Sequence, residues 1–563
     1  MKGFPSRLKC ATAVLSALIF PLPSMAQTTA PDLILYGGKI FTSSATHPYV
    51  QALAIRGDRI LATGDSAKML SLRGTSTKVI DLGGRTVIPG INDAHVHLDI
   101  SPASDVDLEL KSSNPTAAEV IAAISSTVGR VPSGTMIAAN IGPIVYFDPD
   151  MTRAALDRVA PDNPVMLTTL TGHAAFVNSA LLKKLGIRED QSDPLGGKFE
   201  RDPDGRLNGV VREYALLDLD RQLADMTSEA DALQQLRAQL VQAERFGITT
   251  IQDMSNSMPP DRAVALLEKL PVAIRVRVIR MPGTKPGGRN LQEGRPAPHA
   301  TTSLITVSGT KWLLDGTPLE GTFASRSSRQ AELSPGQAAA GKVTDEANSV
   351  FGMLFTTPEL AAILRETRRD GDPLLLHVSG FPAASAMLQA LDADGGSEVW
   401  ANRRVRFEHG DGLFPDLIPS VKRLGIVVVQ NPTHLAAVRV LPGLKIEKAQ
   451  PLRSLLVAGI PVALGSDGPM NPYLNIMLAS IDPDRPAEAM TREEAVIAYT
   501  LTAAYAEFAE KDKGSLEPNK FADLAVLSRD IFTVPPPELP KTESVLTLVN
   551  GKIVYDAKVV ATQ

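Results

Sequence analysis

Residues 87–98 read VIPGINDAHVHL, a short apolar run that ends in two histidines, His95 and His97, with one residue between them. Alternate residues of a β-strand point to the same side, so this spacing predicts two imidazoles that project from one strand into one space. Neutral imidazoles on a rigid strand suit zinc and similar divalent metals. The stretch therefore predicts a strand that carries the first part of a metal site.

Four further clusters have the same form, because each one ends a short apolar run and begins a loop with glycine or aspartate. They are Lys311 in ITVSGTKWLLDG (305–316), His377 in PLLLHVSG (373–380), His409 in RVRFEHGD (404–411) and Asp467 in PVALGSDGP (461–469). The chain has eight histidines, and four of them lie in the five clusters: His95, His97, His377 and His409. A single HxH is a weak signal, but this ordered set predicts one shared metal site and not scattered core or surface histidines.

Strand-like and helix-like segments alternate from about residue 85 to residue 514. The candidate barrel strands are RTVIPG (85–90), ITTIQDM (248–254), VAIRVRVIR (272–280), LITVSGTKWLL (304–314), PLLLHV (373–378), RVRFEH (404–409), GIVVVQ (425–430) and PVALGS (461–466). Such alternation predicts a parallel sheet, and eight units predict closure into a (β/α)8 TIM barrel of the α/β class. A barrel of this kind gathers side chains from distant strands at the carboxyl ends of those strands.

The rest of the chain predicts three additions to this barrel. Residues 101–228 do not fit one βα unit and are expected to form an insertion between the first two barrel strands. Residues 283–301 and 317–350 are rich in Gly, Pro and Ser and are expected to form long loops at the rim. Residues 27–84 and 515–563 contain short β-type runs, too few at either end for an independent sheet, and predict one small composite β-sandwich domain.

Residues 1–26 have the pattern of a signal peptide. Lys2, Arg7 and Lys9 precede an apolar stretch that is too short to span a bilayer, and Ala26 ends a small-residue cleavage site. We expect cleavage after Ala26 and export to the periplasm or the medium. Cleavage also removes Cys10, the sole cysteine, and leaves a mature chain with no predicted membrane span.

Composition excludes some partners. The net charge is −5 and no basic block occurs, which argues against nucleic acid as a partner. Hydrophobic residues make up 44% of the chain, enough for one large domain and a smaller one.

Several stretches together resemble a known family. They are PGINDAHVHL, NPVMLTTLTGHAAFVNSALL, DPDGRLNGVVRE, GITTIQDM, QNPTHL and GSLEPNKFADLAVLS. The chain resembles the amidohydrolase superfamily, in the family-3 branch that includes N-substituted formamide deformylases. The resemblance extends over nearly the whole mature chain.

The resemblance implies a role for each residue of the set. His95 and His97 would bind the more buried metal, and His377 and His409 would bind a second one. Asp467 would contact the metal or its water and transfer the proton. The implied cofactor is a divalent metal, zinc before others, with one or two ions per subunit.

The resemblance also assigns Lys311 and His173. Lys311 matches a lysine that carbon dioxide can carboxylate, so that it bridges two metals. A bare ammonium beside a dication would be repelled, so the residues themselves leave Lys311 carboxylated, neutral or turned away. A Schiff-base role for Lys311 would leave the four histidines unexplained. His173 matches a pocket histidine that could hold the substrate carbonyl, although a capping or core histidine is as typical there.

The predicted reaction is hydrolysis of a C–N bond in a small amide, formamide or cyclic amide by metal-activated water, with Asp467 as acid–base group. An esterase or lactonase would use the same site. A binding or regulatory protein on the same barrel is the other alternative, and Asp467 argues against it. The expected partner is a small amide-like substrate, and a homodimer is compatible with the sequence.

Four nearby positions are less informative. Asp315 could support the site or form a turn, and His434, which could line the mouth, is slightly more typical of a residue without a site role. Phe381 stands where this branch usually has an aspartate, and Asn431 is extra relative to the common QPTH. We expect these two departures to affect substrate choice and not metal binding.

Overall fold

The computed structural model describes residues 30–101, 106–112, 114–290, 302–317, 353–434, 450–482 and 485–560. The predicted signal peptide lies outside the described residues, as do most of the two predicted rim loops. Among the described residues, no helix combines the length and the apolarity that a membrane crossing requires.

The amino-terminal segment forms short strands between glycine turns. They are β1 (Leu33–Tyr36), β2 (Lys39–Phe41), β3 (Tyr49–Val50), β4 (Ala52–Arg56), β5 (Arg59–Gly64), β6 (Lys78–Asp81) and β7 (Thr86–Pro89), with a helix at Ser66–Leu70. One sheet has the order β5-β4-β1-β6. Gly57, with φ of +60°, allows the tight connection between β4 and β5.

The first barrel strand is β8 (Ile91–Val96), which corrects one predicted strand. Residues 85–90 were expected to begin the barrel, but β7 pairs with β2 in the terminal sheet, and only β8 pairs with the second barrel strand. The chain passes between the two sheets at Gly90, where a Cβ atom would lie 2.1 Å from Thr249 Oγ1. Because the apolar run is continuous across Gly90, the pattern contains no sign of the change of sheet.

The insertion follows β8 and contains a sheet of its own. Its strands are β9 (Val106–Asp107), β10 (Ile137–Ile141), β11 (Val165–Thr169), β12 (Ala174–Val177), β13 (Gly197–Arg201) and β14 (Leu207–Glu213), in the order β13-β14-β12-β11-β10-β9. Its helices are Ala117–Val128, Pro143–Phe147, Arg153–Val159, Ser179–Lys184 and Tyr214–Asp225. Apolar side chains of these elements, such as Val120, Leu167 and Phe176, form a separate core.

Helices lie between most of the remaining barrel strands, as predicted. They are β15 (Ile248–Ser255), β16 (Arg275–Arg280), β19 (Ile305–Leu313), β20 (Leu374–Val378), β21 (Arg406–His409), β22 (Val427–Gln430) and β23 (Val462–Leu464). A small hairpin of β17 (Thr284–Lys285) and β18 (Gly288–Arg289) follows β16. The helices are Glu229–Arg245, Pro260–Leu267, Thr357–Asp370, Phe381–Ala393, Gly396–Trp400, Ile418–Arg423, Leu452–Val457, Pro472–Ile481, Arg492–Ile497 and Ala503–Ala506.

These strands confirm the predicted barrel. The eight-stranded sheet has the order β23-β22-β21-β20-β19-β16-β15-β8, and its neighbours are all parallel. Its two ends meet, since the amide of Asp467 donates to the carbonyl of His95 at 2.9 Å. All carboxyl ends therefore face one mouth.

The carboxyl-terminal strands complete the small domain. β24 (Leu524–Leu527), β25 (Ser544–Val549) and β26 (Lys552–Asp556) form a sheet with the order β26-β25-β24-β7-β2-β3. Leu35 and Ile80 from one end of the chain pack in one core with Leu524 and Leu548 from the other. The two ends of the chain thus form one β-domain beside the barrel.

Candidate metal centre

The carboxyl ends of five barrel strands bring the six residues of the predicted set to the barrel mouth. His95 lies in β8, Lys311 in β19 and His377 in β20. His409 is the last residue of β21, while His97 and Asp467 follow β8 and β23. The parallel order of the strands explains why residues so distant in sequence meet at one end.

The heads of these side chains lie within contact distance of one another. The ligand atoms of His95, His409 and Asp467 all lie within 4.8 Å of one another. His97 Nε2 is 3.2 Å from Asp467 Oδ1, and the rings of His377 and His409 have centroids 4.4 Å apart. Imidazole nitrogens and a carboxylate so close together can hold a divalent metal.

The hydrogen bonds of three histidines fit this function. His95 Nδ1 donates to Glu408 Oε2 at 2.8 Å, and His97 Nδ1 donates to the carbonyl of Met254 at 2.9 Å. His409 Nδ1 lies 2.9 Å from Asn431 Oδ1. A histidine whose Nδ1 carries the proton keeps the lone pair on Nε2, which is the atom that a metal binds. The residues therefore fit a metal.

Burial keeps the imidazoles of His95, His377 and His409 neutral. Burial would also lower the pKa of His97, but its hydrogen bond to Asp467 and the charge of that carboxylate raise it. In His95, burial lowers the pKa to about 4, with a contribution from the nearby Lys311. Burial and neighbouring histidines hold the pKa values of His377 and His409 well below their usual range. Burial would raise the pKa of Asp467, but the surrounding histidines bring it well below its usual range. Neutral histidines beside a carboxylate are the protonation states that metal binding requires.

Two side chains reach the centre from backbone conformations that are rare for residues other than glycine. His409 has φ of +71° and Asp467 has φ of +38°. His409 follows Glu408, which already points inward, and successive residues of a strand should point to opposite sides. The left-handed turn at His409 ends the strand and allows both side chains to serve the site. Strain of this kind is concentrated at functional sites.

Lys311 is buried at the centre of the cluster. Its Nζ lies 3.0 Å from His95 Nε2, and burial lowers the pKa of the amine. A neutral amine at this position would not repel a metal cation. An ammonium would repel it and would also compete with it for the lone pair of His95 Nε2. The side chain points into the site and is not turned away.

Glu408 supports the centre and was missed in the sequence. It is fully buried, and Arg406 binds its Oε1 from Nε at 2.8 Å while His95 binds its Oε2. Burial would raise the pKa of Glu408, but Arg406 and His95 lower it to about 2. The sequence does contain a sign of this role. Arg406 and Glu408 alternate with Phe407, so two charged side chains lie on the same side of a buried strand and need partners there.

Two of the less informative positions also contact the centre. His434 Nε2 lies 3.3 Å from Asp467 Oδ2, although the sequence slightly favoured no site role. Asp315 lies 3.7 Å from His377 Nε2 and accepts hydrogen bonds from the amides of Ser379 and Gly380. Asp315 thus both forms the turn and borders the site. Burial raises its pKa to about 8.

The two departures from the family pattern have different surroundings. Asn431 accepts from His409 and donates to the carbonyl of Gly465 at 2.9 Å, so it orients a candidate metal ligand. This differs from our expectation that Asn431 affects substrate choice alone. Phe381 stacks on Phe414 with centroids 5.6 Å apart.

The insertion contributes His173. Its ring centroid lies 4.6 Å from that of His377, and its Nδ1 lies 2.7 Å from Glu213 Oε2. Sequence reasoning missed Glu213, which stands forty residues further along the chain. His173 therefore borders the metal centre and is held by a carboxylate.

Comparisons with known proteins found a family model, curated relatives and solved structures that match this chain. The model described as "Amidohydrolase family" matches residues 78–555. An N-substituted formamide deformylase of Arthrobacter pascens is 28% identical, over 94% of this chain and 99% of that protein. Protein LONG AFTER FAR-RED 3 of Arabidopsis thaliana is 26% identical, over 93% of this chain and 91% of that protein. An uncharacterized metal-dependent hydrolase from Pyrococcus horikoshii OT3 has the same fold, with a TM-score of 0.64, 20% identity and coverage of 90% of this chain and 99% of that one.

Proposed function

The chain belongs to the amidohydrolase family, and on this premise we propose that it hydrolyses a carbon–nitrogen bond of a small amide, formamide or cyclic amide. The convergence of His95, His409 and Asp467, with the Nδ1 atoms of His95 and His409 bonded elsewhere, is the observation that carries this proposal. The similarity to an N-substituted formamide deformylase supports the choice of a C–N bond.

The residues of the site divide the work of hydrolysis. His95, His97, His377 and His409 would hold one or two divalent ions, with zinc the first candidate. When bound, such an ion makes a water more acidic and polarises the substrate carbonyl. Asp467 takes the proton of the attacking water and returns it to the leaving nitrogen, so the amine departs neutral.

Lys311 is proposed to be carboxylated. Its Nζ would form a bond to the carbon of carbon dioxide and lose a proton to solvent, and the resulting carbamate oxygens would be available to hold a metal. The location of Nζ, buried within 3.0 Å of His95 Nε2, supports this modification. Addition of ¹³C-labelled bicarbonate should give a carbamate resonance that Lys311→Met abolishes. A labelled sample of active, metal-loaded protein without that resonance would contradict the modification.

The deciding experiment combines metal analysis with a substrate panel. The purified protein is stripped with a chelator, reloaded with zinc, and assayed on N-formyl and N-acyl compounds and on esters of matched shape. We expect one or two ions per chain and metal-dependent release of an amine. Cleavage of esters without cleavage of amides would favour an esterase or lactonase. Metal-loaded protein with no turnover on either class would favour a binding protein.

We also propose that the protein is exported. The charged start, the short apolar stretch and the small residues before Gln27 support this proposal. Sequencing of the mature protein from the periplasm or the medium should find Gln27 at its amino terminus. A soluble cytoplasmic protein that retains Met1 would contradict export.

A further inference from the structure

The insertion brings a histidine–carboxylate pair to the edge of the metal centre. His173 directly precedes β12 and Glu213 ends β14, and these strands are antiparallel neighbours. The amide of Glu213 donates to the carbonyl of His173 at 3.0 Å, and the side chains meet between His173 Nδ1 and Glu213 Oε2 at 2.7 Å. Backbone pairing and a short side-chain hydrogen bond therefore hold the same two residues together.

Glu213 occupies this position at a cost in free energy. Its φ of +51° and ψ of −127° are unfavourable for a residue with a Cβ. Its second oxygen, Oε1, is buried and has no hydrogen-bond partner among the residues that the structure describes. A residue that serves only packing seldom combines a strained backbone with a buried carboxylate oxygen that lacks a hydrogen-bond partner. The combination indicates that the location of the carboxylate matters.

The strained corner is attached to the barrel. Tyr214 follows Glu213, and its hydroxyl accepts from the amide of Leu313 at 2.9 Å. Leu313 ends β19, the strand that contains Lys311. The pair is thus fixed relative to the metal centre and not only relative to the insertion.

The pair orients His173 in a defined way. Glu213 accepts from Nδ1, so this nitrogen is the donor, and a neutral ring then has its lone pair on Nε2, on the side opposite Glu213. The ring itself lies beside that of His377. A lone pair cannot hold the oxygen of a substrate carbonyl, since both groups are acceptors. It can accept from a donor of the substrate.

On the basis of the proposed function, we propose that Glu213 is a positioning residue that fixes His173 so that its Nε2 accepts a hydrogen bond from the N–H of a secondary amide at the metal centre. The substrate class is therefore amides and formamides that retain an N–H. Their N-methylated counterparts lack this donor and cannot make the contact.

The test is a double-mutant cycle on the full-length, metal-loaded protein. Glu213→Gln, His173→Gln and the double variant are compared with the unaltered protein on a secondary amide and on its N-methyl analogue. The glutamine amide can donate to Nδ1 and so permits the other tautomer. We expect each single variant to lower kcat/KM for the secondary amide by about tenfold, the worth of one hydrogen bond. The double variant should lose no more than His173→Gln, and the N-methyl substrate should change less than about twofold.

Glu200→Gln is the matched control. Glu200 is a buried carboxylate of the same sheet, paired with Arg212 at 2.9 Å, and its loss should lower the melting temperature while kcat/KM stays unchanged. Additive losses in the double variant, or equal losses on both substrates, would overturn the positioning role. A fall in bound metal in both Glu213→Gln and His173→Gln would make His173 a ligand and would also overturn it.

A second measurement does not depend on turnover. Nitrogen-15 spectra of the histidine rings, with His173 assigned from the spectrum of His173→Gln, should show the Nδ1–H tautomer in the unaltered protein and its loss in Glu213→Gln. A proton on Nε2 in the unaltered protein, in the other tautomer or in the imidazolium, would refute the inference. Because these spectra need no substrate, they separate failure of this inference from failure of the proposed function.

Discussion

Three histidines at the barrel mouth are held through their Nδ1 atoms by oxygens of other strands or loops. His95 is held by Glu408, His97 by the carbonyl of Met254, and His409 by Asn431. This arrangement fixes the tautomer and the direction of each Nε2 before a metal arrives. At the scale of single residues, the site is thus organised by partners outside the set of candidate ligands.

Asp467→Asn tests the proton transfer. The amide oxygen can still face the metal, but the side chain can no longer take a proton, so we expect turnover to fall by about 10²–10⁴-fold while most of the metal remains. Metal content and rate are measured on the same preparation. An Asn variant with full metal and a near-normal rate would exclude Asp467 as the proton carrier, and His434 or His173 would then be candidates.

Glu408→Gln tests the support of His95. Loss of the charged acceptor should weaken metal binding by about 10–100-fold, as is typical for the partner of a ligating histidine. It should also lower stability, because Arg406 is left buried without its partner. Metal affinity is measured by competition with a chelator on folded protein. Glu510→Gln is the control: Glu510 pairs with Arg404 at 2.8 Å outside the metal centre, and unchanged affinity is expected. Equal losses in the two variants would contradict the role of Glu408.

At the scale of elements, close contacts between the barrel and the terminal domain depend on glycine. Gly247 joins the helix Glu229–Arg245 to β15, with φ of +75°. A Cβ atom there would lie 2.5 Å from the Cβ of Ala525 in β24. The turn that starts the second barrel strand therefore also packs against the terminal sheet.

Gly247→Ala should destabilise the protein through both strain and overlap. Gly134→Ala is the matched control, because Gly134 has φ of +85° but no atom within 4 Å of the position of a Cβ. The control should lose about 1–2 kcal/mol from the conformation alone. Gly247→Ala should lose about 1–3 kcal/mol more, as overpacked sites do. Urea denaturation measures both values, and equal losses would show that the contact with Ala525 relaxes easily.

At the scale of the whole molecule, a buried ion pair connects the barrel to the terminal domain. Arg275 of β16 binds Asp523, which precedes β24, with Nε and Oδ2 3.0 Å apart. Asp523 Oδ1 also accepts from the amide of Asn550 at 2.7 Å. The carboxylate thus joins a barrel strand to two segments of the carboxyl-terminal sheet.

Asp523→Ala should lower the free energy of unfolding by about 3–5 kcal/mol, because a buried arginine loses its partner. Asp512→Ala is the control at the same boundary. Asp512 pairs with Arg59 at 3.2 Å, but both side chains are exposed, and such a pair contributes about 0–1 kcal/mol. Chemical denaturation of both variants measures the difference. A small loss in Asp523→Ala would show that this ion pair contributes little to holding the barrel and the terminal domain together.

The barrel and its candidate ligands were predictable because their signals are local. Apolar runs bounded by loop residues identified seven of the eight barrel strands. The same pattern predicted His95, Lys311 and Asp467 at strand ends. The eighth, residues 85–90, was assigned to the barrel wrongly, because an apolar run crosses Gly90 without a break. The hydrophobic pattern indicates that a residue is buried but not in which sheet. The residues before and after Gly90 are equally buried, in the terminal sheet and in the barrel.

The residues that support the site were less predictable. Glu408 meets His95 across 313 positions of sequence, and Glu213 meets His173 across 40. A charged residue inside a strand signals a partner but not which partner. His434 was undervalued for the same reason, since its contact with Asp467 depends on where the loop after β22 lies.

The sequence by itself determined seven of the eight barrel strands, their order along the chain and the set of histidines with Lys311 and Asp467, because hydrophobic period and strand-end loops are properties of neighbouring residues. Only the tertiary structure decided which side chains meet: that Glu408 supports His95, that Asn431 supports His409, and that the insertion turns His173 and Glu213 toward the metal centre. These contacts join distant strands, and their distances depend on barrel closure and on the backbone turns at single residues such as His409 and Glu213.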